Sequence, residues 1–138
     1  MRGFLDTNVW VSAVIFSGLC EELVVQCADR GWMYSGALIQ GGAHEVLARK
    51  FPACRQACDL FDAAWSVAQR INDVPHPADD NDRRLVNAAA SAKMDFFVTG
   101  DKRVLGWHAV EDPDGVMKIL SPRGAGWALW GRAGSALV

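Results

Sequence analysis

No stretch of this chain reaches the roughly 18 uninterrupted apolar residues of a membrane-crossing helix. The N-terminus carries one Arg and then meets a carboxylate, Asp6, so it lacks the pattern of a signal peptide. Both features lead to the expectation of a cytoplasmic protein with no membrane partner. An excess of basic charge is missing too: 14 Lys and Arg face 16 Asp and Glu, for a net charge of −2. Bulk charge therefore excludes itself as a means of holding nucleic acid, and such binding would need a local basic patch or metal ions. There is no CxxC pair among the four cysteines. Cys20 and Cys27 are spaced i, i+7, and Cys54 and Cys58 are spaced i, i+4. These spacings predict reduced thiols packed on helix faces, not a disulfide or zinc framework. Internal repeats and low-complexity tracts are absent.

What is present is an ordinary globular composition, with 51% hydrophobic and 22% charged residues in a chain of 138. That length predicts one domain, residues 1–138, with one sizeable core. Residues 2–6 read as a short buried strand ending at Asp6, and 7–15 as a helix capped by Thr7 or Asn8. Apolar positions 20, 23, 24, 27 and 28 predict a second helix ending near Gly31. "WMYSG" (32–36) reads as strand and turn, and 37–51 as a helix weakened by Gly41 and Gly42. An amphipathic helix is predicted over 55–71, a Pro- and Asp-rich loop over 72–82 and an Ala-rich helix over 83–93. "DFFVTGD" (95–101) reads as strand and turn, "KRVLGW" as one helical turn, and "VMKIL" (116–120) as a last strand. The tail "SPRGAGWALWG" is left one helix. Strands alternating with helices predict an α/β domain with a largely parallel sheet.

Three separated acidic positions fall where such a sheet places its ligands, outside the carboxyl ends of the strands. Asp6 ends the first strand, Asp101 follows the strand "FFV" by way of Thr99 and Gly100, and Asp82 starts the helix leading into it. Asp79 and Asp80 stand just before Asp82. Each alone has a plain structural use, as a turn residue or helix cap. Together they raise a charge problem, because a lone carboxylate near a core is costly and no Arg or Lys adjoins Asp6. A divalent cation would satisfy all three. Oxygen-only ligands suit Mg²⁺ or Mn²⁺, which activate water and neutralise phosphoryl charge. The chemistry expected of such a cluster is phosphodiester hydrolysis.

The motifs "FLDTNVWVSAV" (4–14), "ADDNDRRLVNAAA" (78–90) and "DFFVTGDKRVL" (95–105), with the final "ILSPRGA", resemble those of PIN domains. The likeness is nearest to the group known as toxin components of toxin–antitoxin pairs, and it spans nearly the whole chain. It implies a three-layer α/β/α PIN-like fold with a mainly parallel central sheet of about five strands. It also implies a Mg²⁺- or Mn²⁺-dependent ribonuclease that cuts single-stranded RNA, leaving a 5′-phosphate and a 3′-hydroxyl. An antitoxin protein and a second copy of the chain are the implied partners. By position, Asp6, Asp82 and Asp101 are the implied metal-binding and catalytic acids, with Asp80 a substitute for Asp82. Asn8 would orient Asp6, with Thr7 and Thr99 supporting the pocket. Arg83, Arg84, Lys102 and Arg103 flank the acids and are candidate contacts to RNA phosphates.

Two family positions depart. The usual Glu four residues before the Val of "EVL" is replaced by Gly42, leaving Glu45, one turn on, as a candidate acid. Arg103 stands where a second Asp is common. These departures keep open a second reading, a weakened or inactive PIN domain that binds RNA or protein. His76, between two prolines, is a further candidate for the pocket, and Trp127 and Trp130 for stacking on bases, for a protein contact or for packing the tail. The stripe Phe61, Ala64, Trp65, Ala68 reads as core or a dimer face. Aspartyl-phosphate phosphatases fit poorly, because the second Asp they need two residues on is Asn8. Receiver domains fit no better, for want of an acidic pair at the first strand.

Overall fold

A computed structural model describes residues 1–74 and 80–131. His76 and Asp79 lie outside the described residues. The elements run β1 (Gly3–Leu5), α1 (Thr7–Ile15), α2 (Leu19–Asp29), β2 (Met33–Ser35), α3 (Ala37–Lys50), α4 (Ala57–Trp65) and β3 (Gln69–Arg70). They continue with α5 (Asn81–Ser91), β4 (Phe96–Val98), α6 (Lys102–Leu105), β5 (Ala109–Asp112), β6 (Gly115–Leu120) and α7 (Pro122–Trp130). The fold is α/β, with strand order β3-β2-β1-β4-β6-β5. Every neighbouring pair is parallel except the β5–β6 hairpin at one edge. The described residues thus hold six strands, one more than the expected five or so.

The central strands β1 and β4 are buried along their whole length, as short continuous apolar runs require. They pair in the register Gly3–Phe96, Phe4–Phe97, Leu5–Val98. Gly3 is fixed by this pairing: a Cβ there would stand 2.3 Å from the Phe96 ring. Phe4 stacks on Phe97 at 5.5 Å. On one face α1 packs against α2, α3 and α4. Its Trp10 is fully buried edge-on to Phe61, at 5.5 Å. From β3 the chain returns to the far side of β1, and the right-handed rule for such crossovers puts α5 on the opposite face. The result is three layers, α/β/α. Ala88, Ala89 and Ala90 of α5 are buried.

Three expectations need correction. The helix predicted over 55–71 stops at Trp65, and Gln69–Arg70 join the sheet as its edge strand beside β2. Phe61, Trp65 and Ala68 of its stripe are core. Cys54 lies before α4 and is exposed, so it shares no helix face with Cys58. Cys27 is buried, and desolvation pushes its thiol up to about 12 against the pull of Arg30. The Ala-rich helix begins at Asn81 and not at 83, which makes Asp80 its N-cap and places Asp82 inside the first turn. Among the described residues no single helix is long and apolar enough to cross a membrane.

Candidate functional site

Strand order sets the place of the site. From β1 the chain builds outward through β2 and β3, then returns to lay β4 on β1's other side. The gap at the carboxyl ends of β1 and β4 is a topological switch point, where open α/β sheets hold ligands. Asp6 follows β1 directly, and Thr99, Gly100 and Asp101 follow β4.

Asp6 is 4% exposed and is wired from both sides. Its Oδ1 accepts the Thr7 backbone N–H at 2.7 Å, so Asp6 itself caps α1, in place of the expected Thr7 or Asn8. Its Oδ2 accepts the Thr99 hydroxyl at 2.8 Å and Asn8 Nδ2 at 3.2 Å. The supports are themselves braced. Asn8 Oδ1 accepts the Gly100 N–H at 2.8 Å, and Thr99 Oγ1 accepts the Asp101 N–H at 3.0 Å. The Thr7 amide and the side chains of Asn8 and Thr99 thus hold one carboxylate still. Among the described residues no cation pairs with that carboxylate. Burial raises the Asp6 pKa, its hydrogen bonds from Thr99 and Thr7 oppose the rise, and the charges of Asp82 and Asp101 add to it.

The other acids arrive on helix N-termini, where a carboxylate is favoured. Asp80 caps α5 by accepting the Asp82 and Arg83 N–H groups at 3.0 and 3.3 Å. Asp82, in the same first turn, makes no cap and faces the site. Asp101 caps α6, accepting the Arg103 N–H at 2.8 Å. The Arg103 side chain then turns back to clasp Asp80 and reaches Asp82 Oδ2 at 3.1 Å. Asp80 is thereby held at about 2, mainly by this guanidinium. Asp82 shifts the other way, raised by burial and by the charges of Asp101 and Asp80, with Arg103 opposing. Arg103 is the residue whose part the sequence did not disclose: its place was visible, its partners at the start of the preceding helix were not.

Asp6 and Asp82 line one end of a cavity of about 460 Å³ between α1, α3 and α5. Asp101 opens instead onto a smaller neighbouring hollow that shares Asn8 and Ser12 with the first. Gly42 lines the main cavity, and a Cβ there would meet Thr7 Oγ1 at 3.2 Å. Glu45 does not take its place. It points to solvent and pairs with Arg49 at 2.8 Å, so the expectation that it reaches the pocket fails. Arg83 lies over the Trp107 ring at 3.8 Å, and Lys102 is exposed at the start of α6. Trp130 packs on Trp32 at 6.2 Å, away from the acids, while Trp127 is 56% exposed.

Among the described residues no three of His, Cys, Asp and Glu are gathered closely enough to hold a metal ion. The donor chemistry nevertheless fits a hard divalent cation. It offers a buried carboxylate without a counter-charge among the described residues, a second carboxylate in the same cavity, and for each a pKa raised by burial and further by neighbouring aspartates. No protein-family profile, curated protein or solved structure matches the chain.

Proposed function

We propose that the chain is a PIN-type, Mg²⁺- or Mn²⁺-dependent endoribonuclease that cuts single-stranded RNA, acting as the toxin of a toxin–antitoxin pair. The reading includes a cytoplasmic setting, an antitoxin protein as partner and a homodimer, as the sequence resemblance implies. One observation carries it. A carboxylate is buried at the switch point of the sheet, oriented by Thr99, Asn8 and Thr7, and left without a cation among the described residues. A fold does not bear that cost for a helix cap alone, since Asp80 and Asp101 cap α5 and α6 from more exposed positions.

Asp6 and Asp82 would hold the ion, with Asp101 adding negative charge from the adjacent hollow. The bound ion would supply charge neutralisation at the reacting phosphate and an activated water. The chain's own part is to keep Asp6 fixed, through hydrogen bonds from Thr99 and Thr7 that favour its ionised form against the opposing pull of burial, and to keep Asp82 at the cavity. The test is cleavage of a labelled single-stranded RNA by the purified protein with Mn²⁺, with EDTA, and as Asp6→Asn. Metal-dependent cutting that the variant loses supports the enzyme. No cutting by the folded protein under any metal overturns it.

A second reading, a PIN-type domain that binds RNA or a protein without cutting, draws on Gly42, on the outward-turned Glu45 and on the engagement of Asp82 by Arg103. Gly42→Glu discriminates between them. The new side chain would enter the cavity, and Thr7 must give by a few tenths of an ångström. In a site short of one acid, the variant is expected to gain metal-dependent cleavage over the parent. An unchanged rate in both would show that the missing acid was not the limitation.

A further inference from the structure

We propose that the far end of the main cavity is a nucleobase site, taking the base of a nucleotide next to the scissile phosphate, with Phe16 as its stacking platform and Lys50 holding that nucleotide's other phosphate. This deepens the ribonuclease reading and rests on it. Helices α1 and α3 end side by side, and each closes on a phenylalanine: Phe16 after Ile15, Phe51 after Lys50. The two rings meet edge to face at 6.2 Å. Phe51 is half-buried and supports. Phe16 is 58% exposed at the cavity's rim, a large aromatic ring left with an open surface beside an acidic centre.

The walls grade from charged to apolar. Asp6 and Asp82 occupy one end, Leu38 and Val46 the wall, and Phe16, Phe51 and Lys50 the remainder. Among the described residues lining it, Lys50 is the single cation, and no described carboxylate pairs with it. A cavity of about 460 Å³ is in the range that takes a small organic group. The ligand that matches anion-repelling acids, then an apolar slot with a free aromatic face, then a cation, is a single strand of nucleic acid. Its flat rings alternate with phosphates, and the phosphate at the acids is the one a metal ion would neutralise. A duplex does not fit, because its bases are stacked on one another and not free to lie on Phe16.

The test compares two labelled single-stranded RNAs of equal length with cleavage-resistant phosphate linkages, one base-bearing and one with abasic residues, binding the full-length protein in Mn²⁺ so that the acids are neutralised and neither strand is cut. The base-bearing strand is expected to bind roughly 5- to 150-fold more tightly, the range for one stacked base. Phe16→Leu keeps apolar bulk and should lose most of that preference, whereas Phe16→Trp should keep it. Lys50→Gln should weaken both strands alike and flatten the salt dependence. Equal binding of the two strands, binding of neither, or a preference that survives in Phe16→Leu would each overturn the base site. So would sedimentation showing that Phe16→Leu converts a dimer to monomer while the preference stays, which would make Phe16 a contact between copies. The parent reading is scored separately by Mn²⁺-dependent cleavage. Cutting without base preference leaves the nuclease and removes the base site, and base preference without cutting does the reverse.

Discussion

Asp6 and Asp80 do the same local job and stand in opposite electrostatic conditions. Both cap a helix that starts at the carboxyl edge of the sheet, α1 and α5 respectively. Asp80 is more open to solvent, is gripped by Arg103, and has its pKa pulled down to about 2. Asp6 is buried, is held by hydrogen bonds with no cation beside it among the described residues, and has its pKa pushed up by burial. Capping alone would be served as well by Ser or Asn at either place. Burial and ion pairing, and not the capping job, set the two carboxylates apart. Asp80 has its counter-charge built in, and Asp6 has none among the described residues.

Asp6→Asn should break this contrast most severely. It removes the charge and keeps a side chain that can still accept the Thr7 N–H. Cleavage should fall by more than about 100-fold, beyond the usual loss on removing a mere support of a metal ligand. The melting temperature should also stop responding to Mn²⁺, since a ligand that no longer binds the folded state no longer stabilises it. Retained activity would place the chemistry elsewhere.

Thr99→Val acts one step back. The β-branched shape stays in the core, but Asp6 loses its 2.8 Å donor and the Asp101 N–H loses its acceptor. A loss of roughly 10- to 100-fold in metal affinity or rate is expected, read from Mn²⁺ titrations of thermal shift and of cleavage. If the rate falls with metal affinity unchanged, Thr99 serves the substrate and not Asp6.

Much of this was legible in the chain. The apolar runs before Asp6 and before Thr99 mark the two central strands, and strand–helix alternation sets them parallel. The acids after them then fall at one edge without further information. Other features turned on balances of a few residues. "ADDND" offers several capping aspartates, and a shift of two positions decides which caps α5 and which faces the cavity. β3 is two exposed residues, Gln69 and Arg70, carrying no apolar pattern; only pairing with β2 makes them a strand. The β5–β6 hairpin had a signal that could have found it, the turn-forming "DPDG" at 112–115 between two short runs. The clasp of Arg103 on Asp80 and Asp82 had none, because it spans more than 20 residues and depends on how α5 and α6 meet.

Arg103→Gln sharpens the contrast from the other side. It leaves both caps in place and withdraws the built-in cation from Asp80 and Asp82. The pair is exposed, so the gain is modest: Mn²⁺ should bind roughly two- to fivefold more tightly, measured by calorimetry on the intact protein. Weaker binding would mean that Arg103 positions Asp82 more than it competes for it.

The smallest effect is the dependence of stability on pH, and it separates the two aspartates by sign. Asp6 in the folded protein holds its proton more tightly than at its ordinary value of 3.8. Its contribution to stability is therefore full below that value and is lost as pH rises through the folded pKa. Asp82 acts in the same sense. Asp80 binds its proton more weakly when folded, so its contribution is present above 3.8 and is lost as pH falls toward about 2. In melts of the metal-free protein, Asp6→Asn should gain stability relative to the parent as pH rises from about 4 to 7. Asp80→Asn, which keeps the cap, should lose most at pH 7 and converge on the parent in acid. Saturating Mn²⁺ should reverse the first slope and leave the second, because an ion on Asp6 competes with its proton. Parallel curves for the two variants would mean that burial does not set Asp6 apart, and the distinction between the ion-paired Asp80 and the buried Asp6 would fall.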